Sequence, residues 1–295
     1  MKPAPFEYLA PTSLDEVLQM LNEHGYDGKL LAGGQSLVPV MNFRLAQPTI
    51  LIDLNGVDEL TYLNVSSGGG LFIGAMTRQR ILEHDAVIAA KAPLLHETMP
   101  FIAHPQIRNR GTIGGSLSHA DPAAELPVIT VALEAKFKLQ RVGQSRWVNA
   151  EDFYAALFTT ALEPEEILTE ISIPSLPANT GWAFQELARR HGDYAQVGVA
   201  ALVTLDAAGN CRGARLVYLN VGEVPMIASK AAAVLQGEKP TDSAIEAAAH
   251  LAADEEIDPT TDMHATAVYK RHLAYVLGKR TLKQAVERAQ ERIQS

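Results

Sequence analysis

The sequence predicts an α+β fold in two parts. Three observations carry this reading: the opening residues run helix, strand, glycine turn, helix, strand; a proline- and glycine-rich stretch from Pro174 to Gly181 interrupts the pattern; and three consecutive strands followed by alanine-rich helices lie beyond it. At 295 residues the chain also reaches the ~250–300 at which a single core stops growing. The expected division is a first domain over 1–175, itself in two pieces of about 1–56 and 57–175, and a second domain over 176–295.

The elements follow from local signals. Ser13 and Glu16 have capping-box spacing, and Val17, Leu18 and Leu21 share one helical face until Gly25, which predicts a helix over 14–24. Residues 29–34 read as a short strand entering two glycines, 36–46 as helical, and 49–55 as a buried strand rich in apolar residues. A strand is expected at 71–76 after the turn Gly68-Gly69-Gly70, with helices near 77–84 and 86–99. After the loop 104–122, Asp121 as N-cap and Pro122 as first residue predict a helix over 122–134. Residues 135–141 and 167–174 alternate as strands. In the second part, 182–190, 197–206 and 211–222 read as strands, and 227–236, 243–254 and 270–294 as helices. The last carries Leu282, Val286, Ala289 and Ile293 on one face, the pattern of a helix packed on its own domain.

Composition narrows the function. The net charge of −9 argues against a nucleic-acid surface, and the short basic runs Arg108 to Arg110 and Arg189 to His191 read as charged turns. Cys211 is the only cysteine, so neither a disulfide framework nor an iron–sulfur cluster held by this chain's own thiolates is possible. No apolar run reaches the ~18 residues of a spanning helix. The N-terminus lacks the apolar stretch of a secretory signal, and a cytoplasmic location is expected.

Two glycine pairs stand out, in Leu31-Ala-Gly-Gly-Gln-Ser-Leu37 and Gly111-Thr-Ile-Gly-Gly-Ser116. Each precedes a helix, where successive backbone N–H groups can point into one space and missing β-carbons let a phosphate come close. The alternative is a pair of plain tight turns. Neither matches the Rossmann fingerprint or the P-loop. On this mechanism a valine at Gly34 or Gly114 displaces a pyrophosphate while sparing the core. Ser116, Ser118, His119 and Asp121 crowd into one loop, too close in sequence for a triad assembled from separate segments, and no metal-ligand spacing completes a site there.

Three segments, AGGQSLVPVMNFRLAQPTILIDLN, IRNRGTIGGSLSHADPAAELP and RRHGDYAQVGVAA, in this order and spacing, resemble the medium subunit of the carbon monoxide dehydrogenase and xanthine dehydrogenase family, the molybdenum hydroxylases. The likeness spans nearly the whole chain. It implies a two-part FAD-binding domain of the vanillyl-alcohol-oxidase-like (PCMH-type) kind, then a smaller α+β domain. It implies that Ala32, Gly33, Gly34, Gln35 and Ser36, flanked by Leu31 and Leu37, and the second loop Gly111, Thr112, Ile113, Gly114 and Gly115, grip the FAD pyrophosphate and ribityl chain. Glu125 matches a carboxylate near the ribityl hydroxyls, Leu168 a residue beside the flavin, and Tyr194 a residue by the isoalloxazine ring.

The same resemblance implies partners: a large subunit with the molybdenum cofactor, a small subunit with 2Fe-2S clusters, and a dimer of such heterotrimers. The chain itself is then an electron carrier that needs no acid–base pair, which fits the absence of a convincing one. Gln35 stands where carbon monoxide-oxidising members carry histidine, a lean towards nitrogen heterocycles as substrates of the complex. The competing readings are a self-contained flavin oxidase or dehydrogenase, with His104 or His119 as a flavin tether, and a non-catalytic nucleotide-binding scaffold subunit.

Overall fold

The computed structural model describes residues 1–294. Its first sheet is parallel, in the order β1-β3-β2, from β1 (Glu7–Leu9), β2 (Gly28–Leu31) and β3 (Ile50–Asp53), with α1 (Leu14–His24) and α2 (Leu37–Asn42) in the connections. The capping box at α1 forms with one shift. Ser13 Oγ accepts the Glu16 N–H at 3.3 Å, while the Glu16 carboxylate reaches back to the N–H of Thr12, at 2.6 Å, rather than to that of Ser13. Val17, Leu18 and Leu21 are buried against Ile52, Leu54 and Met76, as their shared face requires. Helix α2 is shorter than expected, closing at Asn42.

The second layer is an antiparallel sheet, β4-β5-β10-β6-β7. Its members are β4 (Leu63–Val65), β5 (Leu71–Gly74), β6 (Lys136–Arg141), β7 (Gln144–Asn149) and β10 (Ile167–Ile173). Between β5 and β6 the chain makes α3 (Gln79–His84), α4 (Ala86–Lys91), α5 (Pro93–Thr98), α6 (Pro105–Arg108), α7 (Ile113–His119) and α8 (Glu125–Ala132). The stretch expected as one helix over 86–99 breaks at Pro93, whose ring cannot continue α4. Short α9 (Ala150–Phe153) and the hairpin β8 (Tyr154–Ala156), β9 (Thr159–Thr160) precede β10.

Helix α8 begins at Glu125, three residues after the expected start. Asp121 Oδ1 accepts the N–H of Ala123 at 2.9 Å, closing a turn, and the Pro122 carbonyl accepts the N–H of Asn220 at 2.9 Å. Residues 121–123 therefore serve a turn and a tertiary contact instead of the helix.

The third layer is antiparallel, in the order β11-β12-β13-β14: β11 (Thr180–Ala188), β12 (Ala195–Leu205), β13 (Cys211–Leu219) and β14 (Met226–Ile227). On one face lie α10 (Ser229–Leu235), α11 (Asp242–Leu251) and the long α12 (Ala267–Gln294). Leu282, Val286 and Ala289 of α12 are buried in this core and Ile293 packs at its edge, as the helical pattern predicts. On the other face Phe184, Ala200, Leu202, Val217 and Leu219 join the core of the second layer, with α8 between the two sheets. Burial on all sides explains the nearly uniform apolarity of α8.

Candidate functional site

The first glycine loop joins β2 to α2. Gly34 takes φ +74°, a conformation that disfavours L side chains, and the Gln35 amide donates to the Gly33 carbonyl at 3.0 Å, bracing the turn. Among the described residues, no hydrogen bond within the chain takes up the backbone N–H of Gly33, Gly34, Gln35 or Ser36. These donors adjoin a cleft of about 420 Å³ lined by Leu31 to Gln35, Val38, Pro39, Asp53, Asn55, Ile107 and Arg110. Arg110 has no ion-pair partner among the described residues. Free N–H groups and an uncommitted guanidinium around one hollow are the donor set of a phosphate site.

The two glycine loops meet. A β-carbon on Gly33 would lie 2.5 Å from the Arg110 carbonyl oxygen and 2.8 Å from Gly111 Cα, and one on Gly115 would lie 3.2 Å from Ala32 Cβ. Arg78 pins the junction: it donates to the Arg110 carbonyl and, at 2.5 Å, to Asn55 Oδ1, while Asn55 Nδ2 donates to the Ala32 carbonyl at 3.0 Å. Burial opposes ionisation of Asp53, but hydrogen bonds from Tyr8 and Asn55 hold its carboxyl below the ordinary range, so it stays charged facing Arg110.

The second loop does not present its N–H groups as its sequence suggests. Gly111 donates to Ile107 O at 2.7 Å, Ile113 to Thr77 O at 3.0 Å, Gly114 to Ala75 O at 2.8 Å, and Gly115 to Thr112 Oγ1 at 3.1 Å. Gly114 is small because Ala75 is near: an added β-carbon would sit 2.5 Å from Ala75 Cβ and 2.7 Å from its carbonyl oxygen. The expectation that a valine there spares the core is therefore corrected. The second glycine pair does not lie in a turn before a helix, as expected: Gly114 and Gly115 are in the first turn of α7 itself, which Thr112 caps.

At the far end of α7 sits an acidic group of residues. Glu125, in the first turn of α8, is only 7% exposed, and its carboxyl is pushed up to about 7 by burial and by the charge of Asp121. Tyr194, in the β11–β12 turn, is 67% exposed as a residue; partial desolvation of its phenol, then the charges of Asp121 and Glu125, raise it. Burial lowers the His119 imidazole, whose ring lies 5.2 Å from that of Phe158. The same turn rests on His104, whose ring lies where a β-carbon of Gly192 would be. Leu168 is placed differently: its side chain is buried in the core of the second layer, so only its backbone, at a β10 register shift, can face a ligand.

Sequence reasoning overlooked Arg110, Asn55 and Arg78. Arg110 had a signal in its position immediately before Gly111, but the neighbouring Arg108 has the same look. That residue is buried and bidentate to Glu83, at 2.8 Å for both bonds.

A cleft with free backbone amides and a guanidinium has the donor set of a nucleotide-phosphate site, and comparison with known proteins gives its family. Residues 4–176 match the FAD binding domain in molybdopterin dehydrogenase, and residues 182–285 match the CO dehydrogenase flavoprotein C-terminal domain. The chain belongs to the FAD subunits of the molybdenum hydroxylases. It is 41% identical over 289 residues to the alpha subunit of the 6-hydroxypseudooxynicotine dehydrogenase complex of Paenarthrobacter nicotinovorans, with 98% of this chain and 97% of the relative aligned. To the caffeine dehydrogenase subunit beta of a Pseudomonas species it is 37% identical, covering 98% and 97%. Among solved structures, a chain of carbon monoxide dehydrogenase from Hydrogenophaga pseudoflava superposes with a TM-score of 0.94 at 39% identity, covering 98% of this chain and 99% of that one. Quinoline 2-oxidoreductase from Pseudomonas putida superposes at 0.93 and 37%, covering 98% and 99%.

This molybdenum hydroxylase FAD subunit thus has the expected fold, an α+β FAD-binding domain followed by a smaller α+β domain, and FAD is its cofactor. The residues present fit that group. The unused amides of the first loop and Arg110 suit its pyrophosphate, and the packed meeting of the two loops leaves a floor without side chains. No helix among the described residues is long and apolar enough to cross a membrane.

Proposed function

We propose that this chain is the electron-transfer subunit of its complex: it takes electrons from a 2Fe-2S subunit and passes them to an external acceptor, while the organic substrate is oxidised on a separate molybdenum subunit. The observation that carries this is the set of binding groups around the cleft: four backbone amides without a hydrogen-bond partner among the described residues, with the Arg110 guanidinium beside them. Bound FAD supplies one- and two-electron chemistry. The protein's task is then to hold and tune. Gly33, Gly34, Gln35 and Ser36 offer amides and Arg110 offers charge to the pyrophosphate, while Leu31, Leu37, Thr112 and Gly115 shape the walls. Glu125, Leu168 and Tyr194 are assigned to the ribityl and ring end, where Tyr194 is accessible to a ring or a partner surface.

The complex is proposed as a heterotrimer, or a dimer of heterotrimers, in the cytoplasm. Gln35 and the relatives named for nicotine-derived, caffeine and quinoline substrates lean towards a nitrogen heterocycle as the complex's substrate, although carbon monoxide dehydrogenases are as similar. The test is reconstitution. The FAD-loaded chain alone should leave candidate heterocycles untouched, and adding the molybdenum and iron–sulfur subunits should restore turnover. Substrate-dependent bleaching of the isolated flavoprotein would overturn the assignment. Flavin should also leave the protein on acid precipitation, since neither His104 nor His119 is expected to tether it.

A further inference from the structure

Lys270 stands in the first turn of α12 and is only 2% exposed, although it carries an ammonium. A cation at the start of a helix opposes the macrodipole, so α12 itself gains nothing from it. All three of its donors are used: Nζ lies 2.7 Å from Asp262 Oδ2, 3.3 Å from the Asn220 carbonyl oxygen and 3.3 Å from Asn220 Oδ1. Burial opposes ionisation of Asp262, but hydrogen bonds from Lys270 and from the N–H groups of His264 and Ala265 bring its carboxyl down to about 2, so it stays charged.

Asn220 is where this ammonium acts. It follows the end of β13 at φ +58°, a region that few side chains other than Asn adopt, and its groups are committed on three sides. Its N–H donates to the Pro122 carbonyl at 2.9 Å, joining the C-terminal domain to the 121–123 turn before α8. Its Nδ2 donates to the carbonyls of Ala195 at 2.7 Å and Gln196 at 3.2 Å, the two residues that follow Tyr194. Its carbonyl and Oδ1 take Lys270. A second arm reaches the same place: the loop that Asp262 turns presents the His264 carbonyl, which accepts from Gln196 Nε2 at 3.1 Å.

This end of the sheet needs the support. The β11–β12 ladder shifts register between Leu187 and Ala188, where the strands run into the turn, and among the described residues no hydrogen bond holds the exposed Tyr194 side chain. The position of the ring therefore comes from its backbone. A strained residue held from three sides by a buried ion pair is the kind of backbone feature that gathers at functional sites.

We propose that Lys270 is a positioning residue of the flavin site: through Asn220 it latches the turn that carries Tyr194 to the 121–123 turn of the FAD-binding domain, and so sets the place of the Tyr194 ring. The inference rests on the functional reading above, which assigns Tyr194 to the ring end of FAD. The latch itself consists of hydrogen bonds within this chain and needs no ligand to form.

The experiment uses the FAD-loaded chain and follows two signals, the emission of the FAD that stays bound after gel filtration and the exchange of backbone amides with deuterated water. A tyrosine ring against an isoalloxazine quenches its emission. Lys270→Met, which keeps an unbranched stem, and Asn220→Gly, which suits the positive φ, should both raise the emission of bound FAD. Both should speed exchange of the amide at position 220 about tenfold, the scale of one lost charge-assisted hydrogen bond, while the amides of the β12–β13 ladder stay protected. Asn220→Gly decides the matter where Lys270→Met also loosens the ladder. In a Tyr194→Leu chain neither change should raise the emission further, because the ring they misplace is gone. Emission that stays quenched in both variants while Tyr194→Leu relieves it, or a rise of the same size in the Tyr194→Leu background, overturns the proposal. A wild-type chain that takes up no FAD, or an emission that Tyr194→Leu leaves unchanged, would instead overturn the functional reading. The exchange rates would then still decide on the latch, a wild-type rate at position 220 in both variants counting against it.

Discussion

The two glycine loops look alike in sequence and differ in what their glycines are for. In the first, the chain turns through a positive φ at Gly34 and leaves four successive amides undonated beside a cleft. In the second, four amides are spent inside the chain, and Gly114 and Gly115 are small so that Ala75 and the first loop can come close. One loop faces the ligand through its backbone; the other builds the floor that holds the first in place. A glycine pair at or just before a helix start therefore signals close approach, without saying whether to a phosphate or to another strand.

The sharpest way to break this comparison is a side chain at Gly114. Gly114→Val drives two branches into the Ala75 backbone, which no rotamer of a neighbour can relieve, and overpacking of this sort costs about 3 kcal/mol. The expected result is a large fall in the denaturation midpoint, with flavin lost only alongside the fold. A variant of wild-type stability that has lost FAD would move Gly114 to the ligand side.

Gly34→Val should behave in the opposite way. Its β-carbon would meet Leu31 Cδ1 at 3.2 Å and Val38 Cγ2 at 3.3 Å, both ends of side chains that can give, so the cost is mainly the strain of a β-branched residue at positive φ, ~1–3 kcal/mol. The valine also projects beside the free amides. We expect a folded protein, shown by circular dichroism, with little bound FAD. Full FAD content at an unchanged dissociation constant would remove the first loop from the phosphate site.

What was legible beforehand follows the same division between local and assembled features. Helix α1 could be read because its cap, face and stop lie within a dozen residues, and α12 because its apolar stripe is continuous. Strands β1 and β4 left no signal, being three residues long and defined by partners far along the chain, and β7 is an exposed strand without alternation. The glycine loops could be found, but their donors could not be counted, since Thr77, Ala75 and Ile107 take them up only in the folded chain. Arg108 and Arg110 make the same point: two residues apart, the one that ends α6 is locked to Glu83 and the one just beyond it lines the cleft.

Arg110 supplies the third test. Arg110→Gln removes a guanidinium that has no ion-pair partner among the described residues, so stability should change by less than about 0.5 kcal/mol. FAD affinity should fall by about tenfold, the ~1.4 kcal/mol scale of one charge-assisted contact, and its salt dependence should weaken. An unchanged dissociation constant measured by fluorescence titration would leave the cleft without its cation.

The smallest effect is expected at Thr112, and it separates the two loops most cleanly. Thr112 is fully buried, and its Oγ1 accepts the Gly115 N–H at 3.1 Å as the cap of α7. Thr112→Val keeps the shape and removes the acceptor, so one amide in the first turn of α7 is left unpaired and the helix loses a cap, at a cost of ~1 kcal/mol. If the second loop is floor, FAD affinity should not respond, because the freed N–H still points at the position Thr112 occupied. If that amide instead serves the ligand in competition with Thr112, freeing it should tighten FAD binding while stability falls. Parallel measurement of the denaturation midpoint and the FAD dissociation constant distinguishes the cases: a small loss of stability at constant affinity keeps the two glycine loops in separate roles, and tighter binding would give both of them a place on the phosphate.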